Sequence, residues 1–283
     1  MMLMLVPAIL AAQDFSGAKA LEWTRKAVAF GPRPAGSAAI AKLQTMIRAE
    51  LTAQGWQVSE DGFTAGTPVG PKVMRNIIAK QNGTSGRMIV LTGHYDTKAI
   101  PGMNFVGAND GGASAGWLLE AARALAKLPR KHDVALVFFD GEEAFGEWSD
   151  TNGIYGSRHL AEKWRADGTL TRIHALINID MIGDADLKVV DEQNSSPALR
   201  RLLRTAAAET GYGKYFPPQG IAIEDDHMPF VRLGVNAVDL IDFDYGPGHS
   251  YWHTAKDTVD KLSAHSLQVV GDVVMEVLRR LQM

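Results

Sequence analysis

Residues 134–143 read VALVFFDGEE, an apolar run that ends in two adjacent glutamates, Glu142 and Glu143. Charge at the end of a buried strand lies where open α/β folds bind their ligands. Of two neighbouring carboxylates there, one can hold a metal while the other carries protons. Other segments repeat the arrangement. GHYDT places His94 and Asp96, GANDGG places Asp110, INIDMIGD places Asp180 and Asp184, and YWHT places His253. With no cysteine in the chain, a metal has to be held by imidazole and carboxylate, a donor set that suits zinc. The glycines beside Asp110 permit a tight turn that brings backbone close to a ligand. Singly, each residue has a plainer reading: His94 as a hydrogen-bonded core histidine, Asp180 as a cap, Asp110 as a turn acid. Their joint placement after strands is what points to a site. His132, His159, His174, His249 and His265 sit in polar or turn contexts and read as solvent-facing or structural.

The elements that must position these residues follow from periodicity and turn signals. A helix over 16–31 stops at Gly31-Pro32-Arg33-Pro34. A second begins at Ser37, a good N-cap, with Ile40, Leu43, Ile47 and Leu51 on one face and Gly55 as its stop. Strands are expected at 56–64 and 73–80, then 88–93, 134–140, 174–182 and 235–241, with helices at 112–128, 196–211 and 263–281. Apolar strands alternating with helices predict an α/β fold. Its mostly parallel central sheet is flanked by helices on both faces. In such a sheet the C-terminal strand ends share one edge, so the acids and histidines can meet.

The chain has 283 residues, 46% hydrophobic and 22% charged, with a net charge of −3. That is an ordinary globular composition. Without a dense Lys/Arg stripe it offers no electrostatic case for nucleic acid, and no later run is long and apolar enough to span a bilayer. Residues 1–13, MMLMLVPAILAAQ, read as the remnant of a bacterial signal peptide lacking its basic start. This implies an exported, periplasmic or secreted protein, with 14–283 as one catalytic domain.

The order of motifs resembles the zinc aminopeptidase superfamily: His94-x-Asp96, Asp110, Glu142-Glu143, Asp180, His253. Within it the chain is similar to the glutaminyl-peptide cyclotransferases of the animal type. The segments that carry the likeness are VFFDGEEAFGEWS, IYGSRHLAEKW, IEDDHMPFVRLGV at 223–235 and YWHT at 251–254. The resemblance implies one tetrahedral zinc held by Asp110, Glu143 and His253, with Glu142 transferring protons. It implies Asp180 and Asp225 as an acidic pair behind the reaction centre, and Trp148 and Trp252 as pocket walls. The substrates implied are peptides or proteins with N-terminal glutamine, converted to pyroglutamate with loss of ammonia. Two nearby buried carboxylates should repel, so that Asp180 and Asp225 share a proton. The competing reading is an aminopeptidase with two zinc ions, in which Asp110 bridges and His94 and Asp180 hold the second. The ligand types alone suit both.

Overall fold

A computed structural model describes residues 15–281; the signal-peptide reading of 1–13 lies outside them. Six strands form one sheet in the order β1-β2-β4-β3-β5-β6. They are β1 (Gln57–Thr67), β2 (Gly70–Gln81), β3 (Met88–His94), β4 (Asp133–Phe139), β5 (Ile173–Asp180) and β6 (Ala237–Ile241). β4, β3, β5 and β6 run parallel, while β1 and β2 join antiparallel at one edge. The helices are α1 (Gly17–Val28), α2 (Ala38–Ala53), α3 (Ser114–Leu125), α4 (Tyr155–Ala166), α5 (Pro197–Glu209), α6 (Met228–Arg232) and α7 (Ala264–Leu281).

Strand alternation builds a core on each face of the sheet. Ile89 and Leu91 of β3, with Val134, Leu136 and Phe138 of β4, pack with α1, α2, α3, α5 and α7. Met88, Val90, Ala135, Val137 and Phe139 turn the other way, onto Leu160 and Trp164 of α4 and Phe230 of α6. Both faces are buried, which is why these strands read as continuous apolar runs. Helix α2 starts as its sequence predicts: the Ser37 hydroxyl accepts the Ile40 N–H at 3.1 Å, and Ile40, Leu43, Ile47 and Leu51 are buried.

Three departures from the sequence reading bear on the site. β1 and β2 pair from Gln57↔Lys80 to Thr67↔Gly70, running past the expected 56–64 and 73–80 to close on a two-residue turn. Helix α4 carries no start signal that periodicity detects, because Ile154 enters it with φ 44. The expected helix at 112–128 is preceded by a distinct turn, Ala108–Ala113, in which Asp110 (φ −82, ψ 97) and Gly111 (φ 81) leave the helical region.

Candidate active site and metal centre

Because β3, β4 and β5 are parallel, His94, the Asp140–Glu143 turn and Asp180 reach the same edge of the sheet. Asp96, just beyond β3, shapes the glutamate turn. Its carboxylate accepts the N–H of Glu142 at 3.1 Å and of Glu143 at 3.3 Å. The two side chains then part. Glu143 Oε1 accepts the Lys98 N–H at 3.1 Å and Oε2 lies 3.3 Å from His253 Nε2. Glu142 turns towards His94, with Oε2 4.0 Å from Nδ1.

Asp110 stands between two imidazoles. Oδ1 is 3.2 Å from His94 Nε2 and Oδ2 is 3.2 Å from His253 Nε2. Gly111 makes that placement possible: at φ 81 a Cβ there would lie 2.3 Å from the Asp96 carbonyl oxygen and 3.0 Å from the His94 ring. His253 itself is left-handed, at φ 51, a conformation costly for a non-glycine residue and typical of functional sites.

The donor atoms of Asp110, Glu143 and His253 all lie within 4.8 Å of one another. Asp110 Oδ2 is buried without a hydrogen-bond partner, a cost that a bound cation would remove. Two carboxylates and one imidazole, facing a cavity on their free side, fit a zinc site with an open fourth position. His94, Asp110 and Asp180 form a second group of the same compactness, and Asp225, His227 and Asp239 a third, all buried.

Burial and charge set the protonation. Burial works against a charged His94, but hydrogen bonds to Asp110, Asp180 and Asp96 outweigh it and raise the imidazole well above its usual range. Burial also opposes charge on His253, yet Asp110 and Glu143 lift it to about 10. Asp110 is pushed up by burial and held below its ordinary value by His253 and His94. Glu142 is raised well above the carboxylate range, by burial first and then by Glu143, Asp225 and Asp226, with His94 opposing. Asp180 reaches about 7 through burial, against the pull of His94 and with the charges of Asp225 and Asp110 adding.

These residues border one cavity of about 530 Å³. Asp110, Glu142, Glu143, Asp180, Asp225 and His253 form its polar side, and Trp148, Ile221, Phe243 and Trp252 its apolar side. Asp110, Glu142, Glu143, Trp148, Asp180, Asp225, Trp252 and His253, the residues that the cyclotransferase resemblance implies, all line it, whereas His94 does not. Trp252 stacks on His253 at 4.0 Å between ring centroids, while Trp148 is 43% exposed at the mouth. Asp180 and Asp225 face the same space but are anchored apart. Asp180 Oδ1 lies 3.1 Å from His94 Nε2, and Asp225 Oδ2 accepts from Asn178 at 2.9 Å.

Some candidates fall elsewhere. Asp184 holds a loop, its carboxylate accepting the N–H of Gly246 at 3.0 Å and of Asp186 at 3.2 Å. Phe105 is 1% exposed and meets the His253 ring edge-on at 5.8 Å. Of its two expected readings His249 takes the structural one, packing on Trp252 and Phe243 with ring centroids 4.9 Å away in each case. Sequence reasoning passed over Lys98, Asn178, His227 and Asp257. Their roles are side-chain or backbone bonds across the fold, and no local pattern announces them.

Comparison with known proteins agrees with this geometry. Residues 76–278 match Peptidase family M28. The glutaminyl-peptide cyclotransferase of Drosophila melanogaster is 34% identical over 252 residues, covering 80% of this chain and 70% of that protein. The crystal structure of an Acidobacteriales bacterium glutaminyl cyclase superposes with a TM-score of 0.93 at 44% identity, covering 99% of each chain. A Zn-dependent exopeptidase from Parabacteroides distasonis superposes with a TM-score of 0.86 at 27% identity, covering 95% of this chain and 99% of that one. The fold is thus shared by structures named for either chemistry, and by its family match and its similarity to the Drosophila protein the chain belongs to the glutaminyl-peptide cyclotransferases of Peptidase family M28.

Proposed function

We propose that this protein is a zinc-dependent glutaminyl-peptide cyclotransferase. It converts the N-terminal glutamine of peptides and proteins to pyroglutamate and releases ammonia. The observation that carries this reading is the shared cavity: Glu142, outside the three-residue ligand group, opens onto the same apolar-walled space as Asp110, Glu143 and His253. Bound zinc would supply Lewis-acid polarisation of the side-chain amide carbonyl.

The chain's own residues do the rest. Trp148, Trp252, Phe243 and Ile221 offer apolar walls to a short uncharged side chain. They hold it folded so that its α-amine faces its own amide carbon, and orientation of that kind removes much of the barrier. Glu142 accepts the proton that the amine loses as the new N–C bond forms. It then donates a proton to the departing amide nitrogen, which leaves as ammonia when the old C–N bond breaks. Asp180 and Asp225 form the acidic wall behind the reaction centre, Asp180 held by His94 and Asp225 by Asn178. One zinc, at Asp110, Glu143 and His253, is the reading proposed, with His94, Asp110 and Asp180 as the alternative second group. The Asp110–Glu143–His253 group keeps an open side, as a catalytic zinc does. The apolar, small-residue pattern of residues 1–13 supports export to the periplasm or beyond.

A peptide with N-terminal glutamine, incubated with the zinc-loaded protein and weighed by mass spectrometry, tests the reading. Loss of one ammonia with chain length intact is expected. Release of a free amino acid would overturn it in favour of the aminopeptidase, and metal counting on the same sample distinguishes one ion from two.

A further inference from the structure

The turn that carries Asp110 cannot hold itself. Gly107 enters at φ 48, Asp110 sits at φ −82 and ψ 97, and Gly111 leaves at φ 81. Such a path strips backbone amides of helical partners, and buried amides must find others. Two of them find the same carboxylate. The Asn109 N–H donates to Asp257 Oδ1 at 2.8 Å and the Asp110 N–H to Asp257 Oδ2 at 3.2 Å. The Tyr245 hydroxyl adds a third bond, to Oδ1 at 2.7 Å. The other side of the turn is also gripped, since the fully buried Arg33 donates to the carbonyls of Val106 at 2.6 Å and Gly107 at 2.9 Å.

Asp257 belongs to the loop that carries His253. The Asp257 N–H donates to the Thr254 carbonyl at 3.1 Å and the Thr254 N–H to the Tyr251 carbonyl at 3.2 Å. Those turns connect the anchor directly to the left-handed His253. One side chain therefore ties the backbone of one ligand turn to the loop of another, 147 residues away.

We propose that Asp257 is a positioning residue of the metal centre. It presets the separation of Asp110 and His253, leaving their donor atoms 3.2 Å apart with little left to order when the metal arrives. The assignment rests on Asp110, Glu143 and His253 being the ligands, but it concerns a residue outside that group. A carboxylate is required because both oxygens accept from backbone amides. An asparagine would turn its own NH2 towards one of those N–H groups.

The test uses the whole chain, with the zinc dissociation constant measured by competition with a chromophoric chelator. The melting temperature of the metal-free protein and the absorption spectrum of the cobalt(II)-loaded form are measured alongside. Asp257→Asn should bind zinc about 10–100-fold more weakly, the usual effect of losing a group that orients a ligand, and should shift the cobalt bands. Tyr245→Phe keeps both amide bonds to Asp257 and should show a smaller loss in the same direction. Zinc binding within threefold of wild type in Asp257→Asn overturns the proposal, even if the metal-free melting temperature falls, since the role is then only structural. If Asp257→Asn does not fold, unchanged zinc binding and unchanged cobalt bands in Tyr245→Phe overturn it. Wild-type protein that binds no zinc refutes the ligand group itself, a separate outcome.

Discussion

Replacing Glu142 by glutamine separates proton transfer from metal binding. The change keeps the side chain's shape and removes its ability to accept a proton. Nothing else in the turn depends on that carboxylate: the Glu142 and Glu143 amides are held by Asp96 at 3.1 and 3.3 Å, and Glu143 is fixed by Lys98 and His253. The three ligand side chains and the tryptophan walls stay where they are. General acid–base catalysis contributes about 10²–10⁴ in rate, which is roughly 2.7–5.5 kcal/mol of barrier. We expect kcat for a glutaminyl peptide to fall by about that factor, with KM changed little and zinc content the same as in wild type. The assay is ammonia release under saturating peptide, with metal content measured on the same sample. A variant with full zinc and kcat within threefold of wild type would refute the proton-carrier role. Loss of zinc instead would mean that the two glutamates have exchanged parts.

His253→Ala removes a proposed ligand and a ring that contacts both Asp110 and Glu143, so zinc content and turnover should both collapse, read by metal analysis after dialysis. Gly111→Ala forces a Cβ within 2.3 Å of the Asp96 carbonyl at φ 81; about 1–2 kcal/mol of left-handed strain plus the clash should lower the melting temperature and displace Asp110, weakening zinc binding. Glu192 gives a pH signature. Burial pushes its carboxyl up, but His227, the Ser195 hydroxyl and the amides of Asn194 and Ile223 outweigh that and hold it at about 2. Its stabilisation is thus complete above the unfolded glutamate value, about 4.3, and is lost as pH falls towards 2. Urea denaturation between pH 5 and pH 2.5 should show a smaller loss for Glu192→Gln than for wild type, and equal slopes would contradict the assignment.

Much of the frame was legible because buried parallel strands leave a strong mark. β3, β4 and β5 read as unbroken apolar runs, and the residues that follow them carry the chemistry. α2 was legible through Ser37 and a regular apolar stripe. α4 was not, since Ile154 starts it from a left-handed position. Both strands of the β1–β2 hairpin were legible but read too short, because β1 is exposed or half-buried on both faces at all but one position and its apolar signal is diluted. For His249 the two readings, solvent-facing or structural, were left open for a related reason: whether a ring is packed depends on what lies over it, here Phe243 and Trp252.

The sequence by itself determined the donor types, the order in which they arrive, and the strand ends that bring them together. The absence of cysteine narrowed the metal chemistry, and motifs spread from residue 32 onward marked the family. The resemblance already implied different parts for the adjacent glutamates; the tertiary structure adds the contacts that make their side chains diverge, through Asp96, Lys98 and His253, each distant in the chain. The same holds for Asp257, whose carboxylate meets amides 147 and 148 residues away. Periodicity reports which face of an element is buried. It does not report which backbone groups a distant side chain will satisfy, and in this protein those bonds fix the turns that carry Asp110, Glu142 and Glu143.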